Sequence, residues 1–186
     1  MSPPRILIYM MRRDLRLSDN PIFHEVSRQL KQHQTSYTHL LPLYVFPAQQ
    51  MEVSGFLNSP DARSPYREAR SPAGGFWRCG SHRVRFLAES VWDVKRSLEG
   101  VGSGLELRAG TLGDVVRELL AGYRDTEAQV VGVWMTSEEG VEERREEKEV
   151  RQATEDNGIN FKIWVDEKYY IDEWVLSRTP GVQTLD

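Results

Sequence analysis

Three short segments of the chain are almost entirely apolar, and they constrain the fold more than any other feature of the sequence. They are Ile6–Met11, Leu40–Phe46 and Val130–Met135. A strand with one solvent-exposed face alternates apolar and polar residues, whereas a continuous apolar run is typical of a strand that is covered on both faces. Two further short segments, Leu105–Arg108 and Phe161–Val165, are also rich in apolar or β-branched residues. The sequence therefore predicts five strands, of which at least three are buried in a parallel sheet.

Segments with helical periodicity separate the five predicted strands. They are Pro21–His33, His82–Glu99, Leu112–Tyr123 and Glu138–Asn157. Strict alternation of strand and helix implies right-handed crossovers and an α/β fold. We therefore expect a doubly wound, five-stranded parallel sheet of Rossmann-like type, in the order 3-2-1-4-5, with helices on both faces.

The ends of the predicted helices carry recognisable signals. Two side chains can cap the first helix, two Thr-x-x-acid patterns fit a capping box, and a glycine can close the last helix. These residues are Asp19 or Asn20 before Pro21, Thr111 with Asp114, Thr136 with Glu139, and Gly158. We also expect four tryptophans to belong to the core rather than to a cofactor site, namely Trp77, Trp92, Trp134 and Trp164.

The charge balance argues against bulk affinity for nucleic acid or membrane. The chain has 24 basic and 28 acidic side chains and a net charge of −4. Residues 1–100 carry +5 and residues 101–186 carry −9, so only the first part could face a polyanion. Cys79 is the single cysteine, which excludes an internal disulfide, and no apolar run reaches the length of a membrane helix. We expect a soluble intracellular protein in the cytoplasm or nucleus, with an organelle left open.

The expected strand order places a ligand crevice outside the carboxyl ends of the first and fourth strands. Two loops meet there, Arg12–Asn20 and Thr136–Glu143. The first loop contains no glycine, so its backbone cannot approach a pyrophosphate as a G-x-G-x-x-G turn does. The four histidines have no metal-ligand spacing, and no catalytic constellation emerges from spacing alone. The sequence therefore predicts neither a dinucleotide site, nor a metal site, nor an enzyme.

The first loop is dense in charged side chains. They can form a fixed ion-pair lattice that orients the following helix, or they can be solvated charges on a structural loop. Because charged pairs of this kind are often only surface decoration, we favour a structural or interdomain role over direct ligand contact. The residues assigned to this role are Arg13, Asp14, Arg16, Asp19 and Asn20.

Seven glutamates lie between Glu138 and Glu149, and most of them are expected to form a solvated helix face. Those in the first two turns lie at the expected crevice. A carboxylate there can accept paired hydrogen bonds from an amino-pyrimidinone ring such as that of a folate or pterin.

The first strand and its loop resemble the opening of the photolyase/cryptochrome family. That family's signature is an apolar strand followed by R-x-D-L-R-x-x-D-N, and Arg12–Asn20 reads RRDLRLSDN. Leu41–Pro47, Gly75–Gly80 and Thr136–Glu139 resemble later segments of the same domain and point to the cryptochrome DASH branch in its fungal form. The resemblance covers residues 5–172.

The resemblance implies an N-terminal α/β domain that holds a light-harvesting antenna, often methenyltetrahydrofolate, and a larger helical domain that holds FAD. In this family the antenna passes excitation to the flavin, which repairs cyclobutane pyrimidine dimers; DASH members prefer single-stranded or looped-out DNA. The family's folate-binding glutamate lies in a V-E-R or N-E-R element, which Val141–Arg144 matches. Glu143 is therefore the first candidate for cofactor binding and Glu142 its neighbour, with Arg12 and Glu139 completing the set.

The sequence departs from the family pattern after Asp172, where Glu173–Gly181 reads EWVLSRTPG. We expect an antenna domain over 1–172, a divergent tail over 173–186, and no FAD-binding helical domain. FAD binding, DNA binding and catalysis are then not expected of this chain alone. Folate binding is expected to be weak, because the helical domain completes the folate pocket in this family.

Three function hypotheses follow. The first is a light-harvesting antenna domain whose partner is the FAD-binding helical domain. The second is a truncated interaction or regulatory protein that forms a homodimer or docks through the face that domain would cover. The third is an independent nucleotide-binding enzyme, for which the sequence offers no phosphate loop.

Overall fold

The computed structural model describes residues 2–57, 59 and 62–166. Its strands and helices alternate, and the five strands form one parallel sheet in the order β3-β2-β1-β4-β5, which confirms the expected fold. The end of the expected domain at Asp172 and the tail 173–186 lie outside the described residues. In chain order the elements are β1 (Arg5–Met11), α1 (Pro21–Lys31), β2 (His39–Pro47), α2 (Ser81–Gly100), β3 (Glu106–Gly110), α3 (Leu112–Arg124), β4 (Gln129–Thr136), α4 (Val141–Glu155) and β5 (Asn160–Trp164).

The apolar runs are continuous because both faces of the sheet are covered. On β1, Leu7 and Tyr9 pack in a cluster with α1 and α2, whereas Ile8 and Met10 pack in a second cluster with α3 and α4. Each of these four side chains is at most 2% exposed. Successive side chains of a strand point to opposite faces, so a strand buried on both sides must be apolar at every position.

Two of the expected helix caps are present. The Asn20 side chain accepts hydrogen bonds at the start of α1, and Thr111 accepts one from the backbone N–H of Asp114. Gly158 follows α4 with a φ of +66°, a conformation that glycine adopts without strain. The starts of α1 and α3 and the C-terminal end of α4 therefore follow their sequence signals.

The expected start of α4 at Glu138, with Thr136 as its cap, is wrong. The helix begins at Val141 after Gly140, and no side chain caps it. Thr136 ends β4 instead, where its hydroxyl donates a hydrogen bond of 3.1 Å to the buried carboxylate of Asp14. The Thr136 hydroxyl therefore binds Asp14, which is distant in sequence, and does not cap α4 as the local pattern predicts.

The expectation that all four tryptophans belong to the core is wrong for two of them. Trp134 is buried and packs against Trp164, with ring centroids 5.1 Å apart. Trp77 is 44% exposed and stacks against the guanidinium of Arg70, and Trp92 is 48% exposed on α2. The buried residues of α2 begin only at Val91, so the first half of this helix buries no side chain fully.

Within the described ranges, none of the helices combines the length and the apolar character that crossing a bilayer requires.

Candidate functional site

Asp14 anchors the loop that follows β1. Its carboxylate is buried and accepts hydrogen bonds from the Arg12 backbone N–H at 2.7 Å, from the Thr136 hydroxyl at 3.1 Å and from the Tyr9 hydroxyl. Tyr9 and Thr136 belong to the neighbouring strands β1 and β4. The carboxylate therefore fixes the loop across the ends of the two central strands.

Asn20 connects this loop to α1. Its amide nitrogen donates to the Tyr9 hydroxyl at 2.6 Å, and its amide oxygen accepts from the backbone N–H groups of Ile22 and Phe23 at 3.0 and 3.1 Å. Burial and the adjacent Asp14 carboxylate raise the pKa of Tyr9, so its hydroxyl remains a donor at neutral pH. Both polar residues, Asp14 and Asn20, thus satisfy buried groups of the scaffold.

Arg12 crosses from the same loop to α4. Its guanidinium lies 2.8 Å from a carboxylate oxygen of Glu146 and 3.1 Å from one of Glu147, and the Arg12 and Glu146 side chains are 7% and 8% exposed. The same Glu147 oxygen accepts the backbone N–H of Glu138 at 2.9 Å. Burial raises the pKa of Glu146, while the positive charge of Arg12 opposes that rise. These contacts fill the expected crevice between the ends of β1 and β4.

Arg13 forms an ion pair with Glu143 in the first turn of α4. The Glu143 side chain is 10% exposed, whereas that of Arg13 is 58% exposed. The second carboxylate oxygen of Glu143 lies against Gly140, in space that the Cβ of any other residue would occupy. The absence of a side chain at Gly140 therefore lets Glu143 adopt this position.

A cavity of about 210 Å³ opens beside these ion pairs, above the carboxyl ends of β1 and β2. It therefore lies on the β2 side of β1 and not, as the strand order suggested, between β1 and β4. Four charged residues of the two central loops and α4 form part of its wall, and side chains of β1, β2, α2 and α3 complete it. The lining residues are Met10, Met11, Arg12, Arg13, Tyr44, Val45, Pro47, Gln50, Arg83, Phe86, Leu87, Leu112, Glu143 and Glu146.

Two of the four cofactor-binding candidates, Glu143 and Arg12, line this cavity. The third, Glu142, instead pairs with Arg78, whose guanidinium also donates to the backbone carbonyl of Gln49 at 3.0 Å. The fourth, Glu139, is 65% exposed and lies 2.6 Å from the guanidinium of Arg144. The structure therefore brings Glu143 and Arg12 together and leaves Glu142 and Glu139 outside the cavity wall.

The remaining residues of the first loop lie away from the cavity. Arg16 pairs with both carboxylate oxygens of Asp166 at 2.8 and 2.7 Å and donates to the Asp19 carbonyl at 3.0 Å. Asp19 has a φ of 56° and precedes the capping residue Asn20. Arg16, Asp19 and Asn20 border a larger open groove, of about 1080 Å³, between α1 and the end of β5. None of the four cofactor-binding candidates lines that groove.

Most residues of the cavity wall were not site candidates from the sequence, and Tyr44, Phe86 and Arg83 show why. Tyr44 lies within an apolar strand and resembles any core residue, and Phe86 belongs to a helix whose apolar periodicity predicts a buried face. Arg83 is one of several basic residues in the same part of the sequence, with no pattern of its own. In the part of the chain with described coordinates, no group of His, Cys, Asp or Glu could hold a metal ion.

The five-stranded parallel sheet with helices on both faces defines a doubly wound α/β domain. The model of the family described as DNA photolyase matches residues 7–183. The chain belongs to this family. Its similarity is to the DASH branch: a candidate mitochondrial cryptochrome DASH of Neurospora crassa is 51% identical over 186 residues, and a candidate cryptochrome DASH of Gibberella zeae is 42% identical over 173 residues.

These matches cover 100% and 93% of this chain but 24% of each relative, so the chain spans about a quarter of their length. Solved structures share the fold. The cryptochrome of Synechocystis has a TM-score of 0.64 at 22% identity, and the match covers 88% of this chain and 28% of that one. An archaeal photolyase of Sulfolobus tokodaii has a TM-score of 0.57 at 19% identity, over 86% of this chain and 29% of that one. That photolyase contains two FAD molecules, with the implication of a novel light-harvesting cofactor.

Proposed function

We propose that this chain is the antenna-binding α/β domain of a cryptochrome of the DASH type. The observation that carries this proposal is the cavity of about 210 Å³, which has apolar walls and a buried, ion-paired carboxylate at Glu143. The first candidate for the chromophore is methenyltetrahydrofolate. In this proposal the domain harvests light and performs no chemistry alone, and its partner is an FAD-binding helical domain that acts on pyrimidine dimers in single-stranded DNA.

The apolar wall suits a planar ring. Met10, Phe86 and Leu87 contribute an apolar part of the cavity wall, as is usual for a small-molecule site, and polar and charged side chains form the rest. The cavity is smaller than the roughly 300 Å³ at which sites for whole drug-sized ligands begin. It therefore fits the ring system of a chromophore, while the rest of the ligand lies outside it.

Glu143 provides a fixed acceptor at this wall. Its ion pair with Arg13 and its contact with Gly140 restrict the carboxylate to one position. An amino-pyrimidinone ring presents adjacent N–H groups, and a carboxylate can accept from two of them. A carboxylate that is already positioned loses little conformational freedom when the ring binds, which favours affinity.

The test is a titration of the purified chain with methenyltetrahydrofolate, followed by absorption and fluorescence. We expect a saturable folate band, an affinity at least about tenfold lower for Glu143→Gln, and an unchanged affinity for Glu155→Gln. Glu155 is the matched control because it lies on the same helix, is exposed and does not line the cavity.

Two outcomes would contradict the proposal. One is a chain that is folded by circular dichroism but does not bind the folate. The other is equal loss of affinity in Glu143→Gln and Glu155→Gln, since binding would then not depend on the cavity.

A second candidate function is an interaction protein, and the exposed aromatic side chains favour it. Phe76 is 65% exposed, Phe86 70% and Trp92 48%, on α2 and the segment before it. Exposed apolar groups of this size often mark a surface that another protein covers. In this second candidate function the occupant is a second copy of the chain. A dimer in light scattering that Phe86→Ser dissociates would support it, and a monodisperse monomer would refute it.

A further inference from the structure

We propose that the groove between α1 and the end of β5 is the docking site of the chain's own segment 167–186, and that Arg16 directs the segment into it. The groove has a volume of about 1080 Å³ and borders the first two turns of α1. The segment follows the described part of the chain directly. The docking is therefore intramolecular, and its occupant is a peptide rather than a small molecule.

The groove has an apolar wall that the described residues leave partly uncovered. Phe23 and Leu17 line it from α1 and from the loop before α1, and Trp164 and Val165 line it at the end of β5. The side chain of Val165 is 81% exposed. Burial of apolar surface is the main favourable contribution when a peptide segment docks. The groove therefore favours an occupant with apolar side chains.

Trp164 contributes an unused hydrogen-bond donor at this wall. Its ring packs against Trp134, and the ammonium group of Lys162 lies 3.6 Å from its ring centroid. The indole nitrogen Nε1 of Trp164 is buried and has no hydrogen-bond partner among the described residues. Buried N–H groups in proteins nearly always have an acceptor. A backbone carbonyl of the docked segment is an acceptor of the kind that Nε1 lacks.

Arg16 fixes the point at which the chain leaves β5. Its guanidinium donates to both carboxylate oxygens of Asp166, at 2.8 and 2.7 Å, and to the backbone carbonyl of Asp19 at 3.0 Å. A contact of arginine with both oxygens of a carboxylate fixes orientation as well as distance. Arg16 and Asp166 both line the groove, so the residues after Asp166 begin at its wall.

The segment has the composition and the reach that the groove requires. Residues 169–171 read YYI and residues 174–176 read WVL. The groove follows residues 21–27 of α1, which is about 10 Å of helix. An extended chain covers that distance with about three residues, so residues 169–171 can reach the wall from Asp166. Because the segment is tethered at Asp166, its effective concentration at the groove is high.

The test is a double-mutant cycle on the full chain, measured by denaturant unfolding. Phe23→Ala in the groove is combined in turn with each of three segment variants, which are Tyr169→Ala, Tyr170→Ala and Ile171→Ala. Val165→Ser is a second groove variant, and it leaves the core intact because this side chain is exposed. Leu30→Ala is the matched control, since Leu30 is an exposed apolar residue of the same helix that does not line the groove.

We expect at least one segment variant to couple to Phe23→Ala and to Val165→Ser. Each coupled pair should lower the folding equilibrium constant about tenfold less than the product of the two single effects. Leu30→Ala and the same segment variant should combine without coupling. The indole N–H signal of Trp164 in NMR, assigned by its absence in Trp164→Phe, should shift in that segment variant. The signal of Trp92, an exposed tryptophan on α2, should not shift.

Arg16 acts as a positioning residue, and its test is the same coupling. Arg16→Ala should reduce the coupling from about tenfold to about threefold or less, because the segment is then no longer held at the groove by Asp166. Arg16→Lys should retain part of the coupling, since an ammonium group can still pair with Asp166 through a single contact. Unchanged coupling in Arg16→Ala would overturn the role of Arg16.

An absence of coupling in every pair would overturn the inference, because the segment would then not contact the groove. Coupling that appears only at high protein concentration would overturn it as well, since the groove would then hold the segment of a second copy of the chain. An unchanged Trp164 indole signal in all three segment variants would overturn the contact between the segment and Trp164.

Discussion

The guanidinium of Arg12 lies 2.8 Å from the carboxylate of Glu146, 134 residues away, and both side chains are buried. This ion pair joins the loop after β1 to α4 and fills the space between the ends of the two central strands. It explains why the cavity lies on the other side of β1, next to β2. Removal of one partner would leave the other as a buried charge without its counterion, which is costly.

Arg12→Ala should lower the free energy of unfolding by about 3–5 kcal/mol, because it leaves two carboxylates without their buried partner. Denaturant titration measures this loss. Arg85→Ala is the control, since an exposed ion pair with Glu89 contributes little. A loss for Arg12→Ala no larger than that of the control would show that the buried pair does not stabilise the domain.

Glu146 should make the domain less stable as the pH rises above the ordinary range of a glutamate. Its pKa is raised in the folded state, mainly by burial, so the folded state holds the proton more tightly than the unfolded state. This contribution to stability is complete below the unfolded pKa and is lost as the pH rises through the folded pKa. Unfolding free energies measured from about pH 4.5 upward should therefore fall less steeply in Glu146→Gln than in the unmodified chain. Parallel curves for the two proteins would contradict the assignment.

Gly140→Ala should weaken chromophore binding while leaving the fold nearly intact. The new Cβ would collide with the end of the Glu143 side chain, which can move away but would then lose its position beside Arg13. We expect an affinity for methenyltetrahydrofolate at least about fivefold lower. Gly122→Ala is the matched control, because nothing lies within 4 Å of a Cβ there and alanine favours the helix by about 0.5–1 kcal/mol. Unchanged affinity in Gly140→Ala would mean that the position of Glu143 does not matter.

Tyr9→Phe should lower the free energy of unfolding by about 1–3 kcal/mol. The variant removes a buried hydroxyl that donates to Asp14 and accepts from Asn20, and it leaves both of those groups short of a partner. Thermal and chemical denaturation measure the loss. The control is Tyr123→Phe on α3, where the hydroxyl makes no hydrogen bond in the described part of the chain. If the two variants lose a similarly small free energy of unfolding, the Tyr9 hydroxyl does not contribute to the stability of the domain.

The sheet could be predicted from the sequence because its signals are local. A run such as Ile6–Met11 is expected to be covered on both faces, and the alternation with helices then predicts a doubly wound parallel sheet, for which 3-2-1-4-5 is a common strand order. The cap at Asn20 is equally local, since the backbone N–H groups of Ile22 and Phe23, which donate to its side-chain oxygen, lie within three residues along the chain. The RxDLRxxDN run also indicated the family that the comparisons show.

The site was only partly predictable because its contacts connect residues far apart in sequence. The Thr136 hydroxyl bonds to Asp14, 122 residues away, so the capping pattern at Thr136 misplaced the start of α4. Trp77 finds its partner in Arg70 at the surface, and no periodicity signals that contact. Tyr44 is a core residue by pattern, and only the structure shows that it lines the cavity together with residues of α2 and α4.

The most direct test of the central claim is a crystal structure of the chain with methenyltetrahydrofolate bound. We predict that the pterin ring occupies the cavity above β1 and β2, with the Glu143 carboxylate within hydrogen-bond distance of it. A folate bound in the groove between α1 and β5 with the cavity empty would contradict the claim. An unoccupied cavity at saturating folate would contradict it as well.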